Sequence, residues 1–322
     1  MTPYVAKGVL RNGHTNSILA SSPARKLVAH RQCGHFRKQA QAQIINAGKT
    51  IRLSALLNKQ SRDDAPLIIL LHGWLGCADS LYLLSLGSFL FDHGYHVVRL
   101  NLRDHGDSHH LNEELFHSCR IQEVIDACIQ IQTRFPQSLL SMAGFSLGGN
   151  FALRVNAFTT QDQFPLHRTI AFCPVMNPMN TLLALENSFL VYRNYFMQRW
   201  KTAFYKKVSA FPDVYNKETF KAFRSLREAT ADLATQYAGF DCLEDYLNGY
   251  AITQDRLNTL HASSHIVLAK DDPIIPWRDQ SQLAAGRFLT ILNTEHGGHC
   301  GFLAPDLTSP WIDQFVLDCL NT

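Results

Sequence analysis

Residues 139–151 read LLSMAGFSLGGNF. An apolar run enters the stretch, a helix-forming run leaves it, and between them residues 144–148 spell G-x-S-x-G. That context predicts a strand, a sharp turn and a helix, with the Ser146 hydroxyl raised above the end of a sheet. Glycine suits positions 144 and 148 because a Cβ there meets the neighbouring strand and helix. An ordinary glycine-rich βα turn has the same local pattern, so the role of Ser146 depends on what the rest of the chain supplies.

Outward from this turn, short buried strands alternate with helices. A hairpin is expected over 42–57, with its turn at Ala47 and Gly48. LIILL at 67–71 reads as a strand buried on both faces, as does the run at 95–102. Helices are expected over 80–93, ended by Gly94, and over 121–135, where Ile121, Val124, Ile125, Cys128 and Ile129 share one face. After the elbow come a helix near 148–158 and a strand at 168–173. The alternation resumes with a strand at 264–269, a helix near 279–285, a strand at 288–292 and a terminal helix from Pro310. Such a chain forms an α/β fold, a mostly parallel sheet flanked by helices.

From 175 to 261 the alternation stops. No buried strand is apparent, and helix-compatible segments carry Tyr192, Phe196, Trp200, Phe204, Tyr215 and Phe220. Between 190 and 228 nine Lys/Arg face three acids, a solvated face over an aromatic core. The division expected is an N-terminal arm at 1–40, an α/β core at 41–174 and 262–322, and a helical cap inserted at 175–261. The arm reads as basic and irregular, with a turn over 12–15.

Composition narrows the function classes. A hydrophobic share of 46% and a charged share of 18% in 322 residues describe a globular chain with a sizeable core. The net charge of +3, without a basic patch interleaved with aromatics, argues against nucleic acid. No apolar run approaches the roughly 18 residues a membrane span requires, and the N-terminus lacks a signal peptide's apolar segment. The 8 cysteines are scattered, without C-x-x-C, which points to a reducing, cytoplasmic setting. Peripheral membrane contact and oligomeric state stay open.

A serine nucleophile needs a base, a group to orient the base and donors for an oxyanion. In a parallel sheet these come from loops at the carboxyl ends of strands. Three stretches stand there. In LHGWLG at 71–76 the glycines turn the backbone so that the amides of Trp74 and Leu147 form the expected oxyanion hole. In KDDPIIP at 270–276 two prolines stiffen an acid. Asp272, with D-x-x-x-P spacing, is favoured over Asp271 to orient an imidazole. In EHGGHCGF at 295–302 glycines let a histidine fold over the serine, with His299 favoured as base and His296 the alternative. His105, His109, His110 and His117 cluster with Asp104 and Asp107, but no H-E-x-x-H or Cys/His ligand spacing occurs, so no metal or other cofactor is expected. The 103–108 loop reads instead as the floor of the site.

With LLHGWLG, NLRDHGDS, GFSLGGN, DDPIIP, EHGGHCGF and the Asn12-Gly13-His14 arm in view, the chain resembles the YheT-like branch of the α/β-hydrolases. The resemblance implies the α/β-hydrolase fold, Ser146 as nucleophile, Asp272 as orienting acid and His299 as base. It implies hydrolysis of carboxylic esters, of short or medium chain or lipid-like, as small-molecule substrates. Acyl transfer on the same fold, and a non-catalytic binding protein, are the alternatives.

Overall fold

The computed structural model describes residues 3–221, 223–284 and 286–322. The strands are Gln41–Ala47 (β1), Ile51–Asn58 (β2), Leu67–Leu71 (β3), His96–Leu100 (β4), Leu140–Phe145 (β5), Leu166–Phe172 (β6), Ser263–Ala269 (β7) and Leu289–Thr294 (β8). They form one sheet in the order β1-β2-β4-β3-β5-β6-β7-β8, parallel from β4 to β8 and antiparallel at the β1–β2 and β2–β4 pairs. The all-apolar β3 lies at the centre and is fully buried, which is why its sequence does not alternate. Gly48, at φ +78°, supplies the left-handed residue that the β1–β2 turn requires.

The arm departs from the irregular segment expected. It forms helices Gly13–Ala20 (α1), Pro23–Gln32 (α2) and Gly34–Gln39 (α3). Asn12, which reads as part of a turn, is a helix cap, and Ser22 is another. The Asn12 side chain accepts the Thr15 N–H at 3.0 Å, and the Ser22 hydroxyl accepts the Arg25 N–H at 3.2 Å, with Pro23 at the first helical position. Arg25 is buried and bonds Leu307 O and Ser309 Oγ, which ties the arm to the C-terminal segment.

Leu81–Asp92 (α4) packs on β3 and β4, while Ile121–Thr133 (α5) and Leu147–Phe158 (α6) pack together against β1, β5 and β6. Between β6 and β7 run Pro178–Asn187 (α7), Leu190–Ala210 (α8), Lys217–Lys221 (α9), Leu226–Tyr237 (α10) and Leu243–Gly249 (α11). Helices α8 to α10 share a small core of their own, built on Phe204, Val208, Tyr215, Phe220 and Leu233. Pro310–Leu320 (α12) closes the chain against α4 and β6.

The helix expected near 279–285 is instead a 3₁₀ segment, Trp277–Gln282. The chain at Gln254 takes its backbone groups: the Gln254 N–H donates to Gln282 O, and Gln254 O accepts the Ala284 N–H. Ala285 lies outside the described residues. Among the described residues no helix is long and apolar enough to cross a membrane.

Candidate active site

Ser146 stands between β5 and α6 at φ 53°, ψ −120°, a conformation that costs a non-glycine residue on the order of 1–3 kcal/mol. Its N–H donates to Phe172 O on β6 at 2.8 Å. The turn closes so tightly that a Cβ on Gly144 would lie 2.2 Å from Gly148 O, and one on Gly148 2.4 Å from Leu71 O. Both glycines are therefore fixed by contact with backbone that cannot yield.

Beyond β7 the two acids point apart. Asp272 Oδ1 accepts the N–H groups of Ile274 and Ile275, at 2.8 and 3.0 Å, and Oδ2 lies 2.9 Å from His299 Nδ1. Asp271 Oδ1 accepts the Gly298 N–H at 2.9 Å, and Oδ2 lies 3.3 Å from His296 Nδ1. The alternative acid and the alternative histidine thus face each other, and Asp272 faces His299.

His299 Nε2 reaches Ser146 Oγ at 3.0 Å, completing a hydrogen-bonded line from Asp272 to the serine. Burial pulls the imidazole down, but the Asp272 charge, the neighbouring Cys300 thiol and their hydrogen bonds outweigh it. The His299 pKa stands well above the ordinary 6.5.

The arm holds this loop from behind. The His299 N–H donates to Ser17 Oγ at 2.7 Å, and that hydroxyl donates to Gly13 O at 2.6 Å. A Cβ on Gly13 would lie 1.9 Å from Asp271 O. Reading the sequence assigned the arm no part in the site; the one signal available was a glycine and a small hydroxyl residue, four apart, in a short polar stretch.

The loop after β3 is braced as firmly. The Gly73 N–H donates to Tyr82 Oη at 2.9 Å. The Leu75 N–H donates to His105 Nε2 at 3.1 Å, and His105 Nδ1 bonds Arg103 O at 2.7 Å. Both His105 nitrogens therefore serve backbone groups, and burial pulls its pKa down to about 4, leaving a neutral brace. Asp104 is likewise engaged, by Lys207 Nζ at 2.8 Å and the Phe116 N–H at 2.8 Å. Within the cluster around 103–117, His105 and Asp104 are thus spent on structure, whereas His109 Nε2 and His117 Nδ1 are buried without a hydrogen-bond partner among the described residues. Neither the Trp74 nor the Leu147 backbone N–H has a hydrogen-bond partner among the described residues, and both residues line the cavity above Ser146.

That cavity has a volume of about 1020 Å³. Ser146 and His299 lie in its wall, and the cap contributes Phe196, Trp200, Phe204 and Leu233. Trp74 stacks on Phe196 at 5.6 Å and meets Trp200 edge-on at 5.0 Å, so the loop after β3 and the cap share one aromatic wall. Chemically, the site offers a serine hydroxyl bonded to an imidazole, two unspent amides and an apolar chamber.

The model of the alpha/beta hydrolase family matches residues 68–310. The chain is 26% identical to embryogenesis-associated protein EMB8 of Picea glauca, over 99% of this chain and 72% of that one. It is 24% identical to YheT of Escherichia coli, provisionally named an esterase, over 85% of this chain and 82% of that one. It is also 24% identical to medium-chain fatty acid ethyl ester synthase/esterase 2 of Saccharomyces cerevisiae, over 79% of this chain and 62% of that one. Among solved structures, the Pyrococcus furiosus esterase Pf2001 superposes with a TM-score of 0.58 at 13% identity, over 88% of this chain and 91% of that one. Sheet order, elbow and family match converge: the chain belongs to the alpha/beta hydrolase family, in its YheT-like branch.

Proposed function

We propose that the protein is a serine esterase that cleaves carboxylic esters through an acyl-serine intermediate. The observation that carries this reading is the unbroken line from Asp272 through His299 to Ser146, opening on the apolar cavity. His299 Nε2 takes the Ser146 proton as Oγ attacks the acyl carbonyl, and the oxyanion rests on the Trp74 and Leu147 amides. The proton then passes to the departing alcohol, and a water activated by His299 releases the acid. Asp272 holds the imidazole in the tautomer this requires. In this proposal residues 175–261 act as the cap that selects short- or medium-chain or lipid-like acyl groups, over a core of 41–174 and 262–322 with the arm at 1–40. The setting, from cysteine usage, is cytoplasmic.

A second reading is acyl transfer to an alcohol, favoured by the yeast relative whose name joins synthesis and hydrolysis of ethyl esters. Product analysis with and without added alcohol separates the two. The first reading is tested by a fluorophosphonate probe, which is expected to form one adduct, on Ser146, in peptide mass spectrometry. Folded protein that takes no adduct there overturns it.

A further inference from the structure

Cys173 directly follows β6 and Cys300 directly follows His299. The fold brings these distant positions together: the two thiol sulfurs and one ring nitrogen of His299 lie within 4.8 Å of one another. Cys300 Sγ is 4.0 Å from His299 Nε2. Neither cysteine has a part in the ester chemistry above.

Three donors at such separations share a point within about 2.8 Å of each, against a zinc–thiolate distance of about 2.3 Å, so inward shifts of about half an ångström complete the shell. The surroundings suit a metal. Asp272 Oδ2, 2.9 Å from Nδ1, makes the carboxylate–histidine pair that fixes the tautomer and presents the Nε2 lone pair. Ser146 Oγ, 3.0 Å from Nε2, now occupies the lone-pair direction that a metal would take, so binding displaces the serine hydroxyl. Cys300 and His299 line the cavity, which gives an ion its route in. Two thiols and an imidazole are soft donors that select zinc over magnesium or calcium.

We propose that Cys173, His299 and Cys300 form a site for a zinc-class divalent cation that reversibly switches the hydrolase off. Binding makes two metal–sulfur bonds and one metal–nitrogen bond and releases to solvent the protons held by the two cysteines and His299, with no oxidant involved. Nε2, its lone pair on the metal, no longer takes the Ser146 proton. The site rests on geometry alone; the switch rests also on the reading of His299 as base.

The test uses the full chain, reduced and stripped of metal with a chelator, titrated with cadmium chloride as spectroscopic probe and with zinc chloride. One cadmium per chain, with sulfur-to-cadmium charge-transfer absorption, is expected. Hydrolysis of p-nitrophenyl butyrate is lost in step with zinc occupancy, returns with EDTA and ignores magnesium. Cys173→Ser and, separately, Cys300→Ser each abolish the absorption and the zinc effect, with melting curves reporting the fold of each. Asp272→Asn, read by binding alone, weakens cadmium by about 10–100-fold. Absence of the absorption in the parent protein, or its persistence in both cysteine variants, overturns the site. An active esterase indifferent to bound zinc overturns the switch and leaves the esterase reading intact. Cadmium bound at these cysteines in a protein that never cleaves an ester overturns that reading, and the switch with it.

Discussion

At the carboxyl ends of β5, β6 and β7 residues are fixed by close backbone contacts, whereas the helices between β6 and β7 are held chiefly by side-chain packing. Gly144 and Gly148 press on backbone carbonyls, Ser146 holds a left-handed conformation, and both Asp272 oxygens are committed. The helices of 175–261 are held by an aromatic cluster, by polar contacts such as that of Tyr215 Oη to Glu113 O, and by a buried anchor. That anchor is Lys207, whose Nζ bonds Asp104 Oδ1, Asn112 O and Glu114 O. In the proposed function, chemistry is therefore written residue by residue, and selectivity as a volume.

The contrast can be broken most directly at its rigid end. Ser146→Ala is expected to lower kcat on p-nitrophenyl butyrate by roughly 10⁵-fold, with the melting temperature held or raised because a strained residue loses only its hydroxyl. The two acids come next. Asp272→Asn should cost about 10⁴-fold, because the imidazole loses its tautomer, while Asp271→Asn should cost less than about 10-fold, because it braces only the loop. A pH profile sharpens this pair. The base works when neutral and its pKa is raised, so the parent enzyme's acid limb lies above 6.5; activity climbs as pH rises through it. Removing the Asp272 charge should move that limb down, and a limb that does not move would falsify the assignment.

In the helices between β6 and β7 the effects shrink and change kind. Burial lowers the Lys207 pKa and raises that of Asp104, so each charge persists by virtue of the other. Lys207→Met strands the carboxylate and should cost about 3–5 kcal/mol in urea unfolding. Equal stability of the two proteins would show that the cap does not depend on this anchor. The smallest expected effect is Trp200→Ala, which enlarges the chamber. The kcat/KM ratio of octanoate to acetate esters should rise by about 10-fold, from a difference of the size a few methylenes supply. An unchanged ratio would move chain selection elsewhere in the cavity.

The same contrast explains what the sequence disclosed. The strands, the elbow and the three loops each need special backbone chemistry within a few residues, and those needs leave local marks such as G-x-S-x-G, H-G-x-x-G and two prolines around an acid. The two acids at 271 and 272 were distinguishable by the D-x-x-x-P spacing, but their division of labour depends on Gly298 and His296, far along the chain. Asn12 was misread because capping and turn-forming use the same side chains. The meeting of Cys173 with Cys300 left no local pattern at all, since ligand spacing is visible only when one segment carries the set.

The bond from the His299 N–H to Ser17 joins residues 282 positions apart. On a ribosome α1 waits for 282 further residues before its partner loop exists, and contacts of such separation form late in folding. A half-made chain can already raise Ser146 on its elbow, yet it has no base to arm it. In the proposed mechanism Ser146 therefore stays unreactive until the His299 loop has been made and has docked on Ser17.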